Sequence, residues 1–194
     1  MAFKVKDYYF KKAKKENYLA RSVYKLEEIN SKFKVINKSH TVLDLGYHPG
    51  SWTQYASRVA KSVVGIDIKP INNKLQSANN VTLYEANAFD IEKLEDLGVT
   101  AEFDVVLSDM APNTTGIKDV DQQRSLDLVE KVYDSLPFLL KKDGNLIIKI
   151  FDSNDAQNFI KSNRGVFKEV KKLKPKSTRS VSKEFFLIGK GYIK

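Results

Sequence analysis

The sequence predicts an α/β fold: a mostly parallel seven-stranded sheet with helices on both faces and an antiparallel hairpin at one edge. Short, nearly continuous apolar runs rich in β-branched residues are typical of strands buried on both faces of a parallel sheet. Amphipathic helical stretches separate most of these runs, which is the alternation of a doubly wound sheet. The last two runs follow each other without a helix, which indicates the hairpin.

Seven apolar runs give the predicted strands. They are residues 41–45, 63–67, 81–84, 103–108, 146–151, 167–173 and 185–188. All seven are shorter than a typical buried helix, so their length favours strands.

Helical spacing of apolar residues gives the predicted helices. The stretches run from Leu19 to Asn30, from Trp52 to Val59, from Leu126 to Leu140 and from Asp155 to Ile160. Asp121 is the expected N-cap of the third helix, and Pro137 is expected to kink or end it. Because no repeat or flexible linker interrupts the chain, we expect residues 1–194 to form one domain, with residues 1–38 as a basic helical extension.

Composition excludes several classes of protein. The 194 residues include no Cys and only two His, which excludes disulfide scaffolds, thiol catalysis and Cys-ligated metal centres and makes any metal site unexpected. No apolar run approaches the roughly 20 residues that span a bilayer, and the N-terminus lacks the apolar stretch of a secretory signal. We therefore expect a cytoplasmic protein that binds no metal and no membrane.

Charge is segregated along the chain. Residues 1–38 carry eleven basic and four acidic side chains, and residues 161–194 carry eleven and two. The centre, residues 39–160, carries eleven basic and eighteen acidic side chains, and the net charge of the chain is +9. Two basic ends around an acidic centre suit a polyanion such as nucleic acid.

The first predicted strand leads into a loop with two glycines, Gly46 and Gly50, followed by a helix. In doubly wound folds the ligand lies beside this turn, and an acid about 20 residues further on binds ribose hydroxyls. Asp67 stands 21 residues after Gly46. The loop lacks the G-x-G-x-x-G pattern of a dinucleotide site, while the acid that enters it, Asp44, suits a cationic ligand such as S-adenosylmethionine.

Four charged residues stand near the predicted ends of elements. Asp109 follows the strand 103–108, and Lys149 lies inside the apolar run 146–151, where an unpaired lysine is unusual. Glu184 begins the last strand and Lys25 lies on the first helix. Asp109 and Lys149 are expected at the same edge of the sheet as the glycine loop.

These segments resemble the FtsJ/RrmJ-type ribosomal RNA 2′-O-methyltransferases over nearly the whole chain. The matching segments are Ala20–Leu26, Pro49–Trp52, Ser108–Asn113, Ile148–Phe151 and Ser182–Glu184. Ser108–Asn113, which reads Ser-Asp-Met-Ala-Pro-Asn, is the most specific of them. The resemblance implies a Rossmann-like class I methyltransferase fold and S-adenosylmethionine as cofactor.

The resemblance also implies roles for single residues. The family's catalytic tetrad falls on Lys25, Asp109, Lys149 and Glu184. Its cofactor contacts fall on Gly46, Gly50, Trp52, Asp67 and Asp109. Lys149 is our candidate for the base that removes the proton from a ribose 2′-OH, with Lys25 and Glu184 holding the ribose. The implied substrate is a uridine of 23S-type RNA in the large ribosomal subunit, methylated by a monomer.

An RNA substrate agrees with the charge pattern. Basic and aromatic side chains interleave near the N-terminus and offer contacts for phosphates and unpaired bases: Lys11, Lys12, Lys14, Lys15, Arg21, Tyr8, Tyr9 and Tyr18. An opposite wall is expected from Lys171, Lys172, Lys174, Lys176 and Arg179.

Two positions depart from the family pattern. The glycine loop carries Tyr47 and His48 where the family has small residues. Asn87 stands where an acid near the adenine is usual, and Asp90 is a candidate to replace that acid. Because an amide still donates and accepts hydrogen bonds, we expect adjusted cofactor binding and include Asn87 and Asp44 among the cofactor contacts.

Three alternatives stay open at this level. The first is a tRNA or mRNA-cap 2′-O-methyltransferase, because relatives with the same tetrad act on those RNAs. The second is a non-catalytic RNA-binding protein of ribosome assembly, which the altered loop and Asn87 allow and an intact tetrad opposes. The third is an NAD-dependent oxidoreductase, which the missing dinucleotide motif disfavours.

Overall fold

The computed structural model describes residues 8–75 and 77–194 of the chain. Five α-helices lie in this part: α1 (Tyr8–Lys15), α2 (Val23–Phe33), α3 (Ser51–Val59), α4 (Lys118–Leu139) and α5 (Asn154–Ser162). The seven strands are β1 (Thr41–Leu45), β2 (Ser62–Asp67), β3 (Val81–Glu85), β4 (Phe103–Ser108), β5 (Leu140–Phe151), β6 (Phe167–Leu173) and β7 (Glu184–Tyr192).

All seven strands join one sheet in the order β3-β2-β1-β4-β5-β7-β6. The first five strands in this order pair in parallel, while β7 pairs antiparallel with both β5 and β6. The predicted fold class and the antiparallel edge hairpin are therefore confirmed. Because β7 runs against β5, its first residue, Glu184, lies opposite Phe151 at the carboxyl end of β5.

Two apolar layers cover the two faces of the sheet. In β1, Val42 packs in the layer that contains α2 and α3, while Leu43 packs in the layer that contains α4 and α5. Alternation of side chains along a strand sends neighbours to opposite faces. Strands β1, β2 and β4 are apolar along most of their length because both faces are buried, whereas the edge strand β6 exposes its charged side chains.

The longest helix differs from the prediction at its start. It begins at Lys118 with Ile117 as N-cap, so the assignment of Asp121 as N-cap was wrong. Asp121 instead accepts hydrogen bonds from the backbone N–H groups of Thr115 and Gly116 and closes the preceding loop. The helix ends two residues after Pro137.

Two further boundaries differ. Helix α2 begins at Val23, so Leu19 lies before it rather than inside it. Strand β5 begins at Leu140 rather than 146, because Leu140 already pairs with Phe103. The register then shifts before Asn145 pairs with Val105, and Asp143 in this irregular stretch has a φ of +64°.

The N-terminal aromatic residues are largely used inside the protein. Tyr9 and Tyr18 pack against the buried ring of Tyr24, with ring centroids 5.6 and 6.0 Å away. Of the three tyrosines expected to stack on bases, only Tyr8 is mostly exposed.

Within the described residues, no helix combines the length and apolar character that a membrane crossing requires.

Candidate active site and cofactor cavity

Three carboxylates meet at the carboxyl edge of the sheet, as the parallel topology predicts. Asp44 lies in β1, Asp67 ends β2 and Asp109 follows β4. Their negative charges interact, because those of Asp109 and Asp67 both act on Asp44. This cluster creates a negative potential that favours a cationic ligand.

A cavity of about 550 Å³ opens at this edge. Gly46, Asp67, Asn87 and Asp109 line it. A second, much smaller chamber of about 30 Å³ is lined by Asp44 and Trp52, and again by Gly46 and Asp109. Because Gly46 and Asp109 line both spaces, we describe them together as the cofactor cavity.

The residues of the cofactor cavity fit S-adenosylmethionine. The Oδ1 atom of Asp109 is buried and, among the described residues, accepts no hydrogen bond, although the Lys149 amine lies 3.0 Å away. Asp67 accepts backbone N–H groups from His48 and Lys69, one on each carboxylate oxygen, and each oxygen keeps further lone pairs for ribose hydroxyls. The described residues contain no cluster of three or more His, Cys, Asp or Glu side chains placed to hold a metal ion.

Gly50 and Trp52, two of the predicted cofactor-binding residues, mainly stabilise the local structure. Gly50 lines neither chamber and instead caps α3 with a φ of +108°. Trp52 is 3% exposed, and its indole N–H donates to the Ser22 carbonyl oxygen. This bond joins the start of α3 to the segment just before α2, the helix that carries Lys25. Contact of Gly50 and Trp52 with the cofactor stays a prediction.

The two departures from the family pattern are accommodated locally. Tyr47 is buried against β2, where a Cβ on Gly65 would lie 3.0 Å from its ring, so Gly65 makes room for Tyr47. Asn87 accepts a hydrogen bond from Phe89 N–H and donates to Asp90 Oδ1 at 2.9 Å. Asn87 lines the larger chamber and Asp90 does not, which makes Asn87 the better placed of the two for the cofactor.

The four tetrad residues form two ion pairs. Lys25 Nζ lies 2.5 Å from Glu184 Oε1, and Lys149 Nζ lies 3.0 Å from Asp109 Oδ1. The Lys149 amine also donates to the Asp109 carbonyl oxygen at 2.5 Å. The side chain of Lys149 is only 7% exposed, so its partners fix the amine where an apolar strand meets the cofactor cavity.

The charge of Lys149 also acts on the Lys25–Glu184 pair. Burial raises the pKa of Glu184, but the charge and hydrogen bond of Lys25, together with the charge of Lys149, outweigh this effect. The pKa of Glu184 is therefore below its usual value, and the carboxylate is ionised at neutral pH. The structure thus brings together all four residues that the sequence predicts as a tetrad.

Gly46→Ala is expected to destabilise the protein by about 2 kcal/mol, because it combines a positive φ with a close contact. The φ of Gly46 is +72°, and a Cβ there would lie 2.2 Å from Met110 Cγ. Displacing Met110, which lines the cavity, is also expected to weaken cofactor binding. Gly165→Ala is the matched control, since a Cβ there has no heavy atom within 4 Å. Equal denaturant midpoints for the two variants would contradict this role.

Asp44 is expected to make stability pH-dependent. Burial, together with the charges of Asp109 and Asp67, raises the pKa of Asp44 to about 7 against the opposing hydrogen bond from Thr53. The folded protein therefore holds a proton that the unfolded chain releases near pH 4, so stability falls as pH rises from about 4 to 7. Relative to Asp44→Asn, we expect the cofactor-free protein to lose about 4 kcal/mol over this range. Parallel stability curves in urea titrations would rule this out.

The chain is similar in sequence to curated ribosomal RNA methyltransferases. Among curated proteins, ribosomal RNA large subunit methyltransferase E of Bdellovibrio bacteriovorus is 45% identical, over 97% of this chain and 98% of its own. The protein of the same name from Brachyspira hyodysenteriae is 43% identical, over 98% of each chain.

Solved structures show the same fold. A ribosomal RNA methyltransferase from Plasmodium falciparum superposes with a TM-score of 0.75 at 26% identity, covering 90% of this chain and 98% of its own. A methyltransferase from Streptococcus mutans in complex with SAH has a TM-score of 0.55 at 18% identity, covering 85% and 96%. The model of the FtsJ-like methyltransferases matches residues 18–192. This match includes the glycine loop and all four tetrad residues, and the chain belongs to the FtsJ-like methyltransferase family.

Proposed function

We propose that this protein methylates a ribose 2′-OH in RNA of the large ribosomal subunit, using S-adenosylmethionine. The observation that carries the proposal is the pairing of Lys149 with Asp109 at the wall of the cofactor cavity, 3.0 Å apart. The names of the curated relatives support ribosomal RNA as the substrate. The resemblance noted in the sequence favours a uridine of the 23S-type RNA as the target.

Each part of the cavity has a proposed role. The cofactor is held by Asp44, Gly46, Asp67, Asn87 and Asp109, with Gly50 and Trp52 shaping the loop that contacts it. When bound, S-adenosylmethionine supplies an electrophilic methyl group on a sulfonium. The carboxylates of Asp44 and Asp109 favour that positive charge.

The tetrad is proposed to prepare the ribose. In its neutral form, the Lys149 amine accepts the proton of the 2′-OH and becomes an ammonium, which pairs with the Asp109 carboxylate. The carbonyl oxygen of Asp109 accepts a hydrogen bond from the amine and holds it in place. Lys25 and Glu184, themselves paired, hold the ribose and fix its orientation. Positioning of this kind, together with general base catalysis, is the protein's contribution to the rate.

The proposal also covers the location, the oligomeric state and the RNA-binding residues of the protein. We propose a cytoplasmic monomer that acts as one domain over residues 1–194, with no metal and no contact with a membrane. Residues 1–38 are proposed to contribute to RNA binding and to carry Lys25 into the site. The basic residues expected to contact RNA are exposed, apart from the half-buried Lys12 and Arg21. The exposed ones are Lys11, Lys14, Lys15, Lys171, Lys172, Lys174, Lys176 and Arg179.

Large ribosomal subunits that lack 2′-O-methylation test the proposal. Incubated with the protein and methyl-labelled S-adenosylmethionine, they are expected to carry label on a ribose 2′-oxygen after digestion to nucleosides. Subunits that are already methylated are the control and should remain unlabelled. Label on a base, or on tRNA but not on subunits, would contradict the proposed substrate. Failure to bind the cofactor in a calorimetric titration would contradict the enzymatic function itself.

A further inference from the structure

A groove of about 1070 Å³ lies beside the tetrad. It is bounded by the first residues of α4 and α5 and by strands β6 and β7, and Glu184 forms part of its wall. None of its described lining residues lines the cofactor cavity. Within the tetrad, Asp109 therefore faces the cofactor cavity and Glu184 faces this groove.

The lining of the groove combines lysines with amide and carboxylate side chains. Four lysines contribute: Lys118, Lys172, Lys174 and Lys183. The amides and carboxylates are those of Gln122, Gln123, Asn154, Gln157, Asp119, Asp152 and Asp155. A site for phosphates alone needs only cations, whereas amides and carboxylates hydrogen-bond the edges of bases that are not already paired.

Two of the four lysines are already engaged. Lys172 donates to Gln157 Oε1, and Lys174 donates to the Ser182 carbonyl oxygen at 2.6 Å. The amines of Lys118 and Lys183 form no ion pair or hydrogen bond in the described part of the chain, and both residues are exposed. These two amines are therefore the ones available for a ligand in the groove.

Exposed apolar side chains lie next to both lysines in the sequence. Ile117, just before Lys118, is 62% exposed, and Val181, two residues before Lys183, is 86% exposed. A smaller recess of about 230 Å³, lined by Lys118, Lys183 and Phe151, extends the groove between these two loops. Apolar surface beside free cations suits the faces of unpaired bases next to their phosphates.

We infer that this groove binds unpaired nucleotides on one side of the methylated ribose, with Lys118 and Lys183 contacting their phosphates. The inference rests on the proposed function and adds a substrate subsite to it. Lys183 directly precedes Glu184, and consecutive Cα atoms are about 3.8 Å apart. A phosphate bound by Lys183 therefore belongs to the nucleotide at the tetrad or to its immediate neighbour.

The test compares RNA binding by three proteins: the native chain, the double variant Lys118→Gln/Lys183→Gln, and Lys61→Gln as control. Lys61 is exposed and precedes β2, so it lies at the amino edge of the sheet, opposite the tetrad. The probe is a fluorescent, unstructured RNA of about ten nucleotides, within the range of single-strand sites. Anisotropy is measured at several salt concentrations, with unlabelled single-stranded or duplex RNA of the same sequence as competitor.

The double variant is expected to bind the probe about tenfold more weakly than either other protein. Its slope of log K against log salt is expected to be smaller by about 1.4, since each phosphate contact on a single strand contributes about 0.7. Duplex RNA should compete at least tenfold less well than single-stranded RNA. Equal binding by the double variant and the control, or equal competition by duplex RNA, would overturn the inference.

Two further measurements separate this inference from the proposed function. S-adenosylmethionine should bind all three proteins with the same affinity, which shows that the substitutions leave the cofactor cavity intact. If the native chain methylates ribosomal subunits while the double variant binds RNA normally, the subsite is wrong and the function stands. If RNA binding falls as expected but the native chain transfers no methyl group, the groove binds RNA and the proposed reaction is wrong.

Discussion

Replacing Lys149 with Met is expected to lower kcat for methyl transfer by about 10³-fold, within the range that general acid–base catalysis contributes. The side chain of Lys149 is 7% exposed, and its amine lies 3.0 Å from Asp109 Oδ1. Met has a similar length and removes only the amine. Because Lys149 lines neither chamber of the cofactor cavity, the Kd for S-adenosylmethionine is expected to change by less than about threefold, or under 1 kcal/mol.

Lys149→Arg separates two roles for this amine. An arginine keeps the positive charge between Asp109 and Glu184, but a guanidinium stays protonated in proteins and cannot accept a proton. If Lys149 is the base, kcat falls as far in the Arg variant as in the Met variant. Recovery of most of the activity in Lys149→Arg would show that the charge, and not proton transfer, is what the site requires.

Lys141→Met is the matched control for these variants. Lys141 lies on the same strand, β5, and pairs with Asp104 Oδ1 at 2.8 Å, but at the opposite end of the sheet. Its replacement is expected to leave kcat unchanged. A comparable loss of activity in Lys141→Met would attribute the Lys149 effect to a general disturbance of β5.

The sheet and its carboxyl edge could be predicted from sequence because their causes are local. Strands buried on both faces must be apolar throughout, and this leaves short runs that stand out from the amphipathic helices. Parallel pairing then places Asp44, Asp67 and Asp109 at one edge, whatever the details of packing. Lys149 was identifiable because a lysine inside an apolar strand requires a partner.

The pairing within the tetrad depends on contacts that no local pattern encodes. Lys25 reaches Glu184 because α2 packs beside α3, where the Trp52 indole donates to the Ser22 carbonyl oxygen. Glu184 reaches the site because β7 enters the sheet between β5 and β6 and runs antiparallel to both. Sequence predicted the hairpin, but not which of its two strands would pair with β5.

The misassigned N-cap has a similar explanation. Asp121 has the residue type of an N-cap, but it lies inside the first turn of α4, where its carboxylate accepts the N–H groups of Thr115 and Gly116. These bonds lower the pKa of Asp121. The same residue type serves both arrangements, so the choice between them is made by the course of the preceding loop.

Asp109→Ala is expected to reduce both stability and cofactor affinity, because Asp109 holds the buried amine of Lys149 and lines both chambers of the cofactor cavity. Removing one partner of a buried ion pair leaves the other charge uncompensated, at a cost of about 3 kcal/mol. Loss of a carboxylate beside a cationic ligand is expected to raise the Kd for S-adenosylmethionine about tenfold, which is about 1.4 kcal/mol. Glu169→Ala is the control, since its pair with Lys171 is about half exposed and contributes under about 1 kcal/mol.

The double variant Asp109→Ala/Lys149→Met then distinguishes the two effects. With the amine gone, no buried charge is left without a partner, so the free energy of unfolding is expected to recover most of the loss caused by Asp109→Ala. The Kd for S-adenosylmethionine is expected to stay raised, because the carboxylate contributes to binding without Lys149. If stability does not recover, the Asp109→Ala loss comes from other contacts of the loop after β4. If affinity recovers together with stability, Asp109 acts on the cofactor only by compensating the charge of Lys149, and its direct contact with the cofactor is excluded.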